Sequence, residues 1–120
     1  MPYERLHAWR ACHELTLATY RFTQGFPSHE LYGLRSQMRR CAASAAANLA
    51  EGSAKRGVGE YRRFVDIAVG SLAELSYFVL LARDLEYLTS ESHQEFQSQC
   101  ASAGRLTMAL NRSLGRHNKS

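Results

Sequence analysis

The amino-acid sequence predicts an all-α protein, a single-domain, up-down-up-down antiparallel four-helix bundle, on three observations. Apolar residues recur at steps of three and four through most of the 120 residues, with little of the alternation that marks strands. Both prolines, Pro2 and Pro27, lie before residue 28, so no proline interrupts the backbone from Gly33 onward. The breaks between the apolar stripes are short and polar, the kind of joint that links antiparallel neighbours. A chain of this length buries roughly two thirds of its unfolded surface, which is enough for one core.

The first helix, expected over about residues 4–24, carries Leu6, Trp9, Cys12, Leu15, Thr19 and Phe22 at helical spacing. Trp9 has the chemistry of a base-stacking platform, but an aromatic on an apolar stripe is more often core, and the core reading is preferred. Gly25, Pro27 and Ser28 then break the pattern, and Phe26, Leu31 and Tyr32 are expected to fold back as an apolar plug. The second helix, about residues 32–53, holds the stretch QMRRCAASAAANLAEG, whose short side chains let neighbouring helices approach closely. Asn48 falls in line with Leu34, Met38, Cys41 and Ala45 on this helix, so its amide needs partners if buried.

The joint AKRGVG leads to a third helix, about residues 59–87, with a long stripe from Tyr61, Phe64 and Val65 to Val79, Ala82 and Leu85. Gly70 interrupts it at a cost of about 1 kcal/mol relative to alanine, which suggests a close helix contact there. Thr89 or Ser90 is the expected N-cap of a fourth helix, about residues 90–115. Its stripe of Phe96, Cys100, Ala103, Thr107, Leu110 and Leu114 keeps near-perfect spacing.

Two features exceed what four amphipathic helices need. Ile67, Leu72, Leu80 and Leu81 add apolar residues to further faces of the third helix, and that surplus predicts a subunit interface. Asn48, Glu51, Ser71 and Glu74 stand in the heart of helices two and three as an expected structural polar core. Antiparallel pairing about the joint brings Ser71 and Glu74 near Ser44 and Arg39, where Arg39 or Arg40 would neutralise Glu74.

Composition excludes several classes. The three cysteines are odd in number and form no CxxC pair, which argues against a disulfide framework or a zinc site and for a reducing, cytoplasmic compartment. The start, MPYERLHAWR, lacks the apolar core of a signal peptide, and no run approaches 18 continuous apolar residues, so neither secretion nor membrane insertion is expected. A di-iron bundle site needs two Glu-x-x-His pairs and only Glu4 to His7 has that spacing, so no metal and no cofactor are expected. Cys12 beside His13 and Cys41 beside Arg40 are weak candidates for reactive thiols, because adjacent helical residues point apart. Glycine-rich phosphate loops, serine elbows and HExxH motifs are missing from the sequence, so no catalytic residue and no small-molecule substrate are assigned.

The residues also carry a family resemblance. Leu6, Trp9 and Tyr20, then Phe26-Pro27, Gly33-Leu34 with Gln37 and Arg40, and Ser44 lead into Asn48-Leu49-Ala50-Glu51-Gly52. Glu60-Tyr61, Phe64, Ile67-Ala68, Gly70-Ser71-Leu72 and Glu74-Leu75 follow. Together, over about residues 3 to 115, they resemble the four-helix-bundle 23S ribosomal RNA intervening-sequence proteins, and the paired blocks NLAEG and GSLAEL are fairly specific. That family is similar in fold to the accessory protein of diversity-generating retroelements. The resemblance implies a barrel-shaped homopentamer, encoded in bacteria, sometimes within an insertion in a ribosomal RNA gene, with no established biochemical activity. Ala45-Ala46 replaces the isoleucine and proline usual in the family, which implies a straighter second helix.

Two function classes follow. The first is a non-catalytic binding or scaffolding module for RNA, DNA or a nucleic-acid-handling partner such as a reverse transcriptase. It rests on Arg35, Arg39, Arg40, Lys55, Arg56, Arg62 and Arg63 around the second helix and the joint, in a chain of net charge +4. The competing account of those charges is a solvated face with internal salt bridges, and the sequence weighs the two equally. The second class, a small bundle enzyme or metal or cofactor carrier, ranks well below it for want of a site.

Overall fold

The structure is a computed structural model that describes residues 2–118. A 3-10 turn, Pro2–Arg5, precedes helix α1 (His7–Thr23), and a second short 3-10 turn, Ser28–Glu30, leads into α2 (Leu34–Ser53). Helices α3 (Val58–Asp84) and α4 (Ser90–Asn118) complete the chain, and no strand occurs among the described residues. Successive helices pack side by side, α4 closes on α1, and the diagonal pairs do not meet, which makes an antiparallel bundle measuring 49 × 23 × 20 Å. The first helix begins at His7 rather than near residue 4, because Leu6 takes an extended backbone between the turn and the helix. The α2 helix runs without a break through Ala45 and Ala46.

The apolar stripes converge on one core. Leu15, Met38, Leu49, Leu75 and Phe96 are fully buried and come from all four helices. Three threonines, Thr19, Thr23 and Thr107, are also fully buried, and each hydroxyl donates to the carbonyl four residues earlier (Leu15, Thr19 and Ala103) at 2.7–2.8 Å. Their polar atoms are thereby satisfied inside the helix, and Thr107 Oγ1 also lies 3.7 Å from the buried Cys12 Sγ across the core. Trp9 packs on the edge of the core, with its ring stacked 4.9 Å from His13.

Helices α2 and α3 lie close because Gly52 offers no side chain. A Cβ there would stand 2.8 Å from Phe64 Cβ and 3.3 Å from the Tyr61 carbonyl oxygen. One polar chain crosses this interface: the Asn48 amide donates to the Ser44 carbonyl (2.8 Å) and to Ser44 Oγ (3.1 Å), which lies 3.0 Å from Ser71 Oγ. Glu51 and Glu74, expected in the same core, are exposed instead. Glu51 pairs loosely with Lys55 at 3.9 Å, and Glu74 lies beside Cys41, whose thiol its charge helps to hold protonated, with no ion pair to Arg39 or Arg40 among the described residues.

The third helix corrects further expectations. Leu72 is buried in the chain's own core and Leu81 packs against that core, leaving Ile67 and Leu80 exposed. Gly70 has nothing within 4 Å of its Cβ position, so it marks no close contact inside the chain. By length and composition α3 is apolar enough to cross a membrane, with a mean hydropathy of 1.7 over its most apolar window, yet it packs as a bundle helix between α2 and α4. Of the expected plug, Phe26 alone is buried, packed 5.2 Å from the Tyr87 ring, whereas Leu31 and Tyr32 face solvent.

At the α3–α4 corner Glu86 has a φ of 63°, the one non-glycine residue in the left-handed region among those described. Its N–H reaches the Arg83 carbonyl and the Tyr87 N–H reaches the Ala82 carbonyl, the paired bonds that close a helix C-terminus. Thr89 caps α4, its hydroxyl accepting from the Ser92 N–H at 3.0 Å.

Candidate nucleic-acid interface

The seven basic residues around α2 do not form one patch. Arg35 and Lys55 are separated by about 30 Å along the helix axis at 1.5 Å per residue. The structure sorts them into two groups at opposite ends of the bundle, because α2 runs the full length between them.

At the α2–α3 turn, Lys55 and Arg56 are exposed where α2 has ended and α3 has not begun. Arg63, on the first turns of α3, donates from Nε to Glu60 Oε1 at 2.6 Å, which holds the Glu60 carboxyl below its ordinary range and raises the guanidinium. The Lys55 ammonium and the Arg63 guanidinium flank Phe64, 5.1 and 4.7 Å from its ring centre, so cationic groups stand beside a mostly buried aromatic. Arg62 points the other way. Its Nε donates to Asn111 Oδ1 at 3.3 Å, Asn111 donates in turn to Asp66, and the guanidinium rests where a side chain on Gly115 would be. Arg62 therefore ties α3 to α4 and is a strut rather than a free contact.

At the opposite end, Arg39 is half-buried. Its Nε donates to Thr23 Oγ1 (3.0 Å), its Nη2 donates to the Tyr20 carbonyl (3.2 Å), and its guanidinium lies 4.4 Å above the Tyr20 ring. Burial, and then the charge of Arg35, lower its pKa from the ordinary value. Arg35 Nε is buried without a hydrogen-bond partner, and Arg40 is exposed. A cleft of about 350 Å³ opens between these arginines, Tyr20 and Tyr32, and no carboxylate lines it. Sequence reasoning identified the arginines here but missed the tyrosines, which come from α1 and the α1–α2 connection.

Sequence reasoning also missed Glu30. Its Oε1 accepts from the Leu34 N–H at 3.0 Å, capping α2, and its Oε2 accepts from the Tyr87 hydroxyl at 2.9 Å. Those bonds hold its carboxyl below the usual range. The partner lies 57 residues away, so no local motif signals the contact.

The thiols are chemically quiet. Burial pushes Cys12 and Cys41 up to about 11 and Cys100 up to about 12, so the thiolate needed for nucleophilic or redox work is scarce at neutral pH. Glu4 and His7 straddle the junction between the first turn and α1, and no three metal-ligating side chains converge among the described residues.

The family model of the 23S rRNA-intervening sequence protein matches residues 4–109. Among solved structures, the chain is similar to a crystal structure of a protein with unknown function from the S23 ribosomal protein family of Bacteroides thetaiotaomicron. The TM-score is 0.80 over 88% of this chain and 95% of that one. At 16% identity this likeness concerns the fold. No curated protein matches the chain.

Proposed function

The chain belongs to the 23S rRNA-intervening sequence protein family, and on that premise we propose that it is a non-catalytic, cytoplasmic scaffold that assembles as a ring of five and binds nucleic acid. The observation that carries the reading is an exposed, largely apolar face of α3 that begins at Ile67, more than two turns beyond the basic turn. Ile67, Gly70, Tyr77 and Leu80 fall at helical spacing around the Glu74 carboxylate, and all five are exposed in the single chain. Apolar faces of this kind are covered by partners in soluble proteins. The bare Cβ position of Gly70 lets another backbone approach.

A two-fold pair is the commonest assembly, but the family resemblance favours a closed head-to-tail ring. Five copies repeat Lys55, Arg56 and Arg63, and a ring of such groups binds phosphate backbones far more tightly than one patch. The family's description, which names the 23S rRNA intervening sequence, supports a link to RNA. Light scattering on the purified protein tests the assembly. A mass near five chains supports the ring, two chains would leave a different oligomer, and one chain would remove the assembly reading. Filter binding of structured RNA and duplex DNA across a salt series tests the ligand: affinity should fall steeply with salt, and an absence of salt-sensitive binding would sink this reading.

A further inference from the structure

We propose that the cleft between α1 and the first turns of α2 binds single-stranded nucleic acid, with a backbone phosphate on Arg35 and Arg40 and an unstacked base against Tyr20 and Tyr32. The inference rests on the nucleic-acid reading above for its ligand class, but it uses the opposite end of α2 from the basic turn.

Three guanidiniums and two tyrosines line one cleft with no carboxylate among them. Arg63 has an acidic neighbour in Glu60 and Arg83 has one in Asp84. Here Arg35 and Arg39 stand close enough to repel, and Arg35 keeps a buried Nε unsatisfied. An anion arriving from solvent relieves the repulsion between the guanidiniums. Arg39 is fixed by the Thr23 hydroxyl and the Tyr20 carbonyl, so it acts as a rigid platform that also pins one face of the Tyr20 ring.

A bare anion would be served by the arginines alone. The tyrosines add π-faces, and Tyr32 is 92% exposed, a large aromatic that does no packing work in the chain. Stacking on such rings requires a base freed from its duplex, and a cleft of about 350 Å³ admits a single nucleotide rather than a double helix. An acidic peptide could meet the arginines but would leave the rings unused.

The test is fluorescence anisotropy with labelled oligothymidylate and with a labelled blunt DNA duplex, at low salt, on the intact assembly. Tyr32→Ala should weaken oligothymidylate binding about tenfold and Tyr32→Phe should restore it, because stacking needs the ring and not the hydroxyl. Arg40→Gln should weaken it and reduce the salt slope by about one. Neither variant should change duplex binding, whereas Lys55→Gln combined with Arg56→Gln should weaken the duplex and spare the single strand. A wild type that binds duplex but not oligothymidylate overturns the cleft and leaves the basic turn standing, whereas loss of both overturns the nucleic-acid reading altogether. Equal binding of a polyglutamate peptide, or a change of molecular mass in Tyr32→Ala, would assign the cleft to a protein contact and overturn the proposal.

Discussion

The two ends of the bundle are closed by different physics. At the α2–α3 turn those two helices are held by close packing: Gly52 lies against Phe64 and Tyr61, the ion pairs of Lys55 and Arg63 are short-range and outside, and the Arg62–Asn111 strut serves the neighbouring α3–α4 seam. At the α1–α2 end the closure is made by side-chain hydrogen bonds: Glu30 accepts locally from the Leu34 N–H and, across 57 residues, from the Tyr87 hydroxyl, and Arg39 donates to Thr23 and Tyr20 of α1. Packing depends on shape and is indifferent to charge, whereas the second kind of closure responds to protonation and to polar substitution. The two ends should therefore fail under different perturbations.

The largest effect is expected at the packed end. In Gly52→Ala the new Cβ meets Phe64 Cβ at 2.8 Å and backbone at 3.3 Å, neither of which swings aside. Overpacking costs about 1–3 kcal/mol, and the gain in helix propensity returns at most about 1 kcal/mol, so the sum is a loss. Gly70→Ala, in open space on α3, should keep that gain in the isolated chain. Urea unfolding of the two variants measures the difference. Equal stabilities would mean that α2 and α3 are not held as closely as Gly52 indicates, and a lighter assembly in Gly70→Ala would place Gly70 in a subunit contact.

At the other end, Arg39→Gln removes two hydrogen bonds and the stacking on Tyr20, at a net cost of about 1 kcal/mol once the desolvation of the guanidinium is set against them. Thr23 stays satisfied because its hydroxyl donates to the Thr19 carbonyl. A melting temperature unchanged from wild type would show that Arg39 is held for its ligand and not for the fold.

The difference between the ends also explains what the sequence could reveal. Periodicity along one helix is a local property, and it identified the α4 stripe from Phe96 to Leu114 and the opposition of Ser44 and Ser71 across the joint. It marks which residues share a face, not which face a neighbour covers. That is why Leu72 and Leu81 were grouped with Ile67 and Leu80, although the first two serve the chain's own core. Sequence adjacency likewise suggested a single basic cluster, because one-dimensional spacing conceals the length of the helix that separates Arg35 from Lys55. The Tyr20, Tyr32 and Arg39 cleft and the Glu30–Tyr87 bond join distant segments and have no local signature.

The smallest expected effect concerns Glu30, and its sign follows from linkage. The carboxyl is held below its ordinary value of 4.5, first by the Leu34 N–H and then by the Tyr87 hydroxyl. A group whose pKa falls on folding stabilises the protein above its unfolded pKa, and that contribution disappears as pH drops through the folded value. The α1–α2 end should therefore loosen in acid below about pH 4.5, as Glu30 gives up its bonds to Leu34 and Tyr87. The Glu60 carboxyl, lowered by Arg63, is by contrast exposed on a single helix and ties no two segments together. In Glu30→Gln the amide oxygen still accepts from the Leu34 N–H, but the charge is gone, so the variant should melt below wild type at pH 7 and approach it as the pH falls. Melting curves of both proteins between pH 7 and 3 provide the measurement. A gap that stays constant with pH would mean that the carboxylate's charge contributes nothing and that shape alone holds this corner. A gap that closes only in acid would identify Glu30 as the point where the hydrogen-bonded end of the bundle senses protons.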